Sequence, residues 1–353
     1  MNAGKLPEVA EKRSVLRYTK NNRVEAAKVS CSKDIVLVSD SALIKYVCQI
    51  GTLLDRVLGL LAAERVSEPT IAVTVLVPEE WEENSTKKAA EAESQNIPTS
   101  ETDQRAPENV KDFIRALLNE FRKRELSTRF AVNVQVSPGK PYAWISLSAS
   151  GIKKNTVEDT EKTSNRSSRA NDFVPENYSI VMAGYTALEA TRILLAARWE
   201  VLHTRLPKQY LNECLCVSEI TDVRQTVQIA TEEEALVKLP GEGGVFTALW
   251  EIGEFLNCGM EADLKKILIR QETIEVCEWL DINPYLTFSG GCVLAVTDRP
   301  DALLKAYENQ GIFAAVLGRL KSGKDRIIQN NEEERFLEPF RQDELYRAHI
   351  FDV

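Results

Sequence analysis

The sequence predicts a two-domain protein of the α/β (α+β) class. Strand-like and helix-like patterns alternate in both halves of the chain. The 353 residues are enough for two hydrophobic cores. Residues 153–176 are polar and have no apolar periodicity, which is typical of a linker. We therefore expect an N-terminal domain over 1–152 and a C-terminal domain over 177–353, joined by a polar linker over 153–176.

The first half of the chain contains β-branched runs and helical apolar spacing. The first strand is expected to end at the polar sequence Ser39-Asp40-Ser41. Residues 81–107 have few apolar side chains after Trp81, so we expect a flexible insertion there. The predicted elements are strands over 34–39, 71–77, 129–136 and 142–149, and helices over 42–64 and 109–125.

The second half shows the same alternation, with a glycine turn in its middle. The predicted elements are strands over 178–183, 292–296, 312–317 and 325–329, and helices over 187–204, 272–280 and 301–309, besides a helix that follows the glycine turn.

Composition excludes several classes of function. The net charge of −9 disfavours a nucleic-acid partner. No apolar run approaches the roughly 20 residues of a membrane-spanning helix, and we expect neither a membrane nor a nucleic-acid partner. The seven cysteines are scattered, as in a cytoplasmic protein with reduced thiols. With only two histidines, His203 and His349, we expect no metal site.

The glycine turn, Gly241-Glu242-Gly243-Gly244, leads directly into an amphipathic helix. Unpaired N–H groups at a helix start can bind a phosphate, and the helix dipole favours a negative charge there. The alternative is a tight turn that only lets the helix pack closely. Both interpretations stay open at this point.

The stretch from Leu239 to Glu251 resembles the signature D-x-T-E-G-G-x-x-x-A-L-x-E of the AIR synthase superfamily, and in particular its hydrogenase maturation factor branch. Residues 182–191 are similar to its element M-T-K-W-x-G-L-E-G-T, with Ala187 and Ala190 in place of two glycines. The segment Ser289-Gly290-Gly291 and residues 318–328 also match the family pattern.

The resemblance implies an AIR-synthase-like fold. Its N-terminal sheet domain pairs with the sheet of a partner to form a barrel across a homodimer, and its C-terminal α/β domain supplies the other wall of a cleft. Family members bind Mg-ATP with carboxylates of the N-terminal domain. The residues of this chain that could retain nucleotide binding are Asp40, Glu242, Gly243, Gly244, Ser289, Gly290 and Gly291.

Most chemical positions of the family are changed here. Leu239 stands for an aspartate of the family, Leu60-Leu61 for an Asn-Asp pair, and Asn133 and Gln135 for a histidine and a glutamate. A leucine cannot neutralise a metal ion, and an amide cannot exchange a proton near neutral pH. The family's terminal cysteine also has no counterpart at Val353. We therefore expect no catalytic residue in this chain.

The leading hypothesis is a catalytically degenerate protein with a structural or regulatory role and no ATP turnover. It would need no cofactor and would form a homodimer, or a heterodimer with an intact relative. One alternative is an ATP-dependent enzyme of the maturation-factor type with a rebuilt Mg-ATP site at the domain cleft. The other is a sensor of small anions or nucleotides.

Several other motifs have a structural explanation beside the functional one. Residues 318–325 fit G-x-x-x-x-G-K but end in Asp325 and join two strands, so we expect a β-turn rather than a phosphate loop. Asp40 alone is expected to be a turn or cap residue. We expect Cys214 and Cys216 to be an incidental pair and His203 to be a surface histidine. Cys258 and Cys277 are expected to behave as small apolar residues in amphipathic helices.

Overall fold

The computed structural model describes residues 28–31, 35–66, 68–81, 107, 109–126, 130–137, 142–153, 174–218, 221–339 and 342–348. It contains two sheets with helices, and the predicted α/β class is confirmed. Most of the predicted insertion (82–106) and most of the predicted linker (154–173) lie outside the described residues.

The N-terminal domain is a five-stranded sheet in the order β1-β2-β5-β3-β4. Its strands are β1 (Lys28–Cys31), β2 (Ile35–Ile44), β3 (Thr70–Pro78), β4 (Phe130–Ser137) and β5 (Ala143–Ile152). Helices α1 (Cys48–Ala63) and α2 (Val110–Lys123) cover the inner face of this sheet, where the first hydrophobic core lies.

The predicted end of the first strand and the predicted start of the first helix are both wrong. Strand β2 continues through Asp40 to Ile44, because Ser39 and Ser41 face the uncovered side of the sheet, where polar residues are allowed, and Asp40 on the covered side is paired with Arg56. Helix α1 begins at Cys48 rather than Ala42. The Gln49 side chain accepts the N–H groups of Lys45 (2.8 Å) and Tyr46 (2.9 Å), which fixes the start of the helix in the manner of a capping residue.

The C-terminal domain is a seven-stranded sheet in the order β12-β11-β8-β10-β6-β9-β7. Its strands are β6 (Ser179–Gly184), β7 (Leu236–Lys238), β8 (Gly259–Asp263), β9 (Cys292–Thr297), β10 (Ala314–Lys321), β11 (Arg326–Asn330) and β12 (Glu333–Phe336). Its helices are α3 (Leu188–His203), α4 (Lys208–Ser218), α5 (Arg224–Glu232), α6 (Gly244–Leu256), α7 (Gln271–Trp279) and α8 (Pro300–Asn309).

The predicted elements of the second half are confirmed within a few residues, but several elements were not predicted. These are α4, α5, β7, β8 and β12, together with β1 in the first half. The predicted turn over 318–325 is shorter than expected, since Gly318 to Lys321 belong to β10 and only 322–325 turn. Strand β8 lies between β10 and β11, so this turn does not close a hairpin.

Helix α1 also makes the contact between the two domains. It packs against α3 and α5 of the C-terminal domain. At Gly59 the helix has no side chain, and Leu239 fills the space: a Cβ at Gly59 would lie 2.9 Å from Leu239 Cδ1. The Asp55 carboxylate on the same helix binds Arg124 of the N-terminal domain (2.5 and 2.7 Å) and Thr221 of the C-terminal domain (2.7 Å). No helix in the described ranges is long and apolar enough to cross a membrane.

Candidate functional site

Asp40 lies beside the contact between the domains and forms an ion pair with Arg56. Asp40 pairs in register with Leu147 and shares the inner face of the sheet with it, below α1. Arg56 of α1 reaches down to this face, and its Nε lies 2.5 Å from Asp40 Oδ2. Both side chains are 16% exposed. The expectation that Asp40 is a turn or cap residue is therefore wrong, because Asp40 lies within β2 and pairs with Arg56.

Carboxylates of the C-terminal domain face the same guanidinium. Nη1 of Arg56 lies 3.9 Å from Oε2 of Glu189, at the start of α3. Glu242 of the glycine turn acts on it electrostatically. Burial alone lowers the pKa of Arg56, but Asp40, Glu189 and Glu242 together raise it above its usual value. One arginine thus interacts with carboxylates from both domains.

The glycine turn leads into α6 as predicted, but several of its N–H groups have acceptors within the protein. A helix start binds an external anion through unpaired N–H groups, and the described contacts leave few of them unpaired. The Gly243 N–H donates to Asp343 Oδ2 (2.6 Å), and the Gly244 N–H donates to the Gly241 carbonyl (3.1 Å). The Phe246 N–H donates to the Tyr285 carbonyl (3.2 Å), and the Thr247 N–H donates to the Gly243 carbonyl (3.4 Å).

The glycines of this turn are required by its geometry. Gly243 has φ 78° and Gly244 has φ 70°, which other residues rarely adopt. A Cβ at Gly244 would also collide with the backbone of Tyr285. These contacts favour the interpretation of a tight turn that brings α6 close to the segment around Tyr285.

The predicted segment Ser289 to Gly291 lies next to the glycine turn. The Ser289 N–H donates to the Gly241 carbonyl (3.1 Å), and the Gly290 N–H donates to Glu189 Oε2 (3.2 Å). The Ser289 hydroxyl is fully buried and accepts the Ala187 N–H (3.1 Å). The Gly291 carbonyl accepts the Tyr185 N–H (3.3 Å). The structure therefore brings the predicted candidates together through one connected network.

Two residues of the C-terminal segment complete this network. The Asp343 carboxyl is buried and accepts hydrogen bonds from the Gly243 N–H, the Leu345 N–H and the Thr287 hydroxyl. Burial raises its pKa well above the usual value, although these donors lower it. Burial also raises the pKa of Tyr346, as does its hydrogen bond to Glu242.

The residues that replace the family's chemical groups lie in apolar or open surroundings. Leu61 is 0% exposed in the first hydrophobic core, and Leu239 packs on α1. Asn133 and Gln135 are exposed on the outer face of edge strand β4, opposite to the face that carries Asp40. In the described part of the chain, no group of three or more His, Cys, Asp or Glu is arranged to hold a metal ion.

Sequence reasoning missed Arg56, Glu189, Asp343 and Tyr346. For Arg56 a signal exists, since Asp55-Arg56 interrupts an apolar helix face, and charges at such positions need buried partners. Glu189 matches an invariant letter of the family element quoted above. Asp343 and Tyr346 lie in a polar stretch without local pattern, so their partners are evident only from the fold.

The structural explanations of the other motifs are mostly supported. Cys214 is buried and Cys216 exposed, and burial raises the pKa of Cys214 to about 12, so it is a poor thiolate. His203 is exposed at the end of α3. Cys277 is buried in α7 as expected. Cys258 is buried too, but it follows α6 rather than lying in a helix.

Comparison with known proteins agrees with this geometry. Residues 197–330 match the model of the family "AIR synthase related protein, C-terminal domain". No curated protein sequence matches the chain.

Several solved structures share the fold of most of the chain. A chain of a HypE–HypF complex superposes with a TM-score of 0.65 at 14% identity, covering 93% of this chain and 99% of that chain. HypE of E. coli, a hydrogenase maturation protein, gives 0.59 at 14% identity, covering 89% and 88%. AaThiL, solved with AMPPCP and TMP, gives 0.59 at 12% identity, covering 96% and 98%. The resemblance found in the sequence and the two-domain fold are thus confirmed.

Ala187 stands where the family element quoted above has a glycine, and its backbone conformation can be tested. It has φ 58°, where alanine is strained by roughly 1–2 kcal/mol and glycine is not. Because glycine loses about 0.5–1 kcal/mol more backbone entropy, we expect Ala187→Gly to change the free energy of unfolding by less than about 1 kcal/mol. Ala190→Gly, inside α3, should cost about 1 kcal/mol or more. Urea denaturation of both variants is the measurement, and equal destabilisation would contradict the interpretation.

Proposed function

We propose that this chain is a non-catalytic AIR synthase-related protein with a structural or regulatory role, which does not turn over ATP. The observation that carries the proposal is the position of Arg56, whose guanidinium is surrounded by Asp40, Glu189 and Glu242. A Mg²⁺ ion placed among these carboxylates would lie beside the fixed positive charge of Arg56, which would repel it. The donor set therefore does not fit a magnesium ion.

Two further observations support the same proposal. Asp343 of the chain itself accepts a hydrogen bond from the glycine turn, at the place where a phosphate would need donors. Leu61 and Leu239 provide apolar surface where the family resemblance implies polar ligands. The hydrogen bond to Asp343 and the two leucines stabilise the packing of the chain, and both weaken the case for catalysis.

Calorimetric titration of the full chain with Mg-ATP tests this proposal. Because Arg56 and Asp343 satisfy the polar groups of the cleft, we expect no heat of binding up to millimolar nucleotide and no phosphate release. Micromolar binding with hydrolysis would contradict it and favour the rebuilt enzyme. In that case Asp40→Ala should abolish binding, whereas the surface variant Glu308→Gln should not. Binding without hydrolysis would instead favour a nucleotide sensor.

We further propose that the outer face of the N-terminal sheet binds a second copy of this chain or a related chain. No described helix covers this face. It carries small side chains in its centre, such as Ser146 and Ser148 of β5, and large exposed ones at its rim. The rim residues are Ile35 (56% exposed), Leu37 (44%), Trp144 (42%) and Ile152 (72%). A flat, partly apolar sheet face of this kind is typical of a protein interface.

The substitution Ser148→Arg tests this surface, because β5 is the middle strand and an arginine there would bring a buried charge into the interface. We expect sedimentation analysis to show a dimer for the unmodified chain and a monomer for Ser148→Arg. The exposed loop variant Ser322→Arg serves as the control and should remain dimeric. An unmodified chain that is monomeric and binds no related chain would contradict the proposal.

A further inference from the structure

The C-terminal segment, residues 342–348, packs against the glycine turn and the helices of the C-terminal domain and is anchored by two buried side chains. Asp343 and Leu345 are each 0% exposed. Leu345 enters the apolar cluster formed by α3, α4 and α7, which includes Leu194, Leu211 and Val276. The backbone is fixed as well, since the Arg198 Nη2 donates to the Ala348 carbonyl (2.5 Å). The segment is therefore a packed part of the protein.

Asp343 attaches this segment to the glycine turn with a geometry that only a carboxyl group satisfies. Its Oδ2 accepts the Gly243 N–H (2.6 Å). Its Oδ1 accepts the Thr287 hydroxyl (2.9 Å) and the Leu345 N–H (2.8 Å). An asparagine would place an NH₂ group against one of these donors, because its side chain has one oxygen only. A buried donor without an acceptor costs more than a neutral hydrogen bond contributes.

Tyr346 attaches the segment to the neighbouring residue of the same turn. Its hydroxyl forms a hydrogen bond with Glu242, and its ring lies edge-on to Phe288 at 6.3 Å. Glu242 in turn acts on Arg56, which pairs with Asp40 in the N-terminal domain. The glycine turn also reaches the domain contact through hydrogen bonds and an ion pair: the Gly241 carbonyl accepts the Ser289 N–H (3.1 Å), the adjacent Gly290 N–H donates to Glu189 (3.2 Å), and Glu189 lies 3.9 Å from Arg56.

We propose that residues 343–348 act as a latch that holds the two domains in one relative position through the glycine turn. When the latch is docked, Gly243 and Glu242 are fixed, and Glu242 stays within the field of Arg56. When it is released, the turn loses both anchors, and the polar contact between the domains loosens. This inference goes beyond the proposed function and holds whether or not the chain turns over nucleotide.

Hydrogen exchange of the full chain, followed by mass spectrometry, tests the latch in Asp343→Asn. Loss of one buried hydrogen bond should speed exchange about fivefold where local opening controls it. We expect this not only at 241–244 and 342–348 but also across the domain contact, in α1 and in the part of β2 around Asp40. Strands β3 and β4 of the same domain should be unchanged.

Two further variants decide between the outcomes. Tyr346→Phe removes only the hydroxyl and keeps the ring, so it should give the same pattern of faster exchange with smaller amplitude. If Asp343→Asn does not fold, Tyr346→Phe decides the question alone. Arg347→Ala lies in the same segment, but its side chain is 57% exposed and pairs with Glu344 and Asp281, so exchange in α1 should not change. Faster exchange confined to the C-terminal domain in both test variants would overturn the proposal. Because the calorimetry measures nucleotide binding by the unmodified chain and the hydrogen exchange is measured without nucleotide, each proposal can fail while the other stands.

Discussion

The structure depends on the burial of two adjacent opposite charges, Asp55 and Arg56, in the helix that joins the domains. Removing a charge from water costs several kcal/mol unless a partner compensates it. Asp55 is compensated by Arg124 and Thr221, and Arg56 by Asp40 and Glu189. Each pair of partners includes one residue of each domain. The need to satisfy these charges therefore fixes α1 against both sheets at once.

The same constraint explains the chemistry of the cleft. An arginine at this place satisfies carboxylates that would otherwise repel one another, and Leu239 fills the groove at Gly59 a turn further along α1. Asp343 satisfies the glycine turn from the other side. The contact between the domains is thus stabilised by interactions within the chain.

Much of the fold could be predicted from the sequence, because helical apolar spacing and β-branched runs mark most buried elements. The errors have physical causes. Asp40 was expected to end a strand, but its neighbours face an uncovered side of the sheet, where polar residues are allowed. Strand β7 has three residues and is too short to show a pattern. The glycine turn was identified, whereas its partner Asp343 lies 100 residues away and carries no local signal.

A double-mutant cycle between Asp40→Asn and Arg56→Gln, measured by urea denaturation, tests the central claim most directly. Residues in contact within one ion-pair network show coupling energies of about 0.5–3 kcal/mol. Because the Asp40–Arg56 pair is largely buried and its atoms are 2.5 Å apart, we expect a coupling in the upper half of that range. A coupling below about 0.5 kcal/mol would contradict the claim that this arginine neutralises the carboxylates of the cleft.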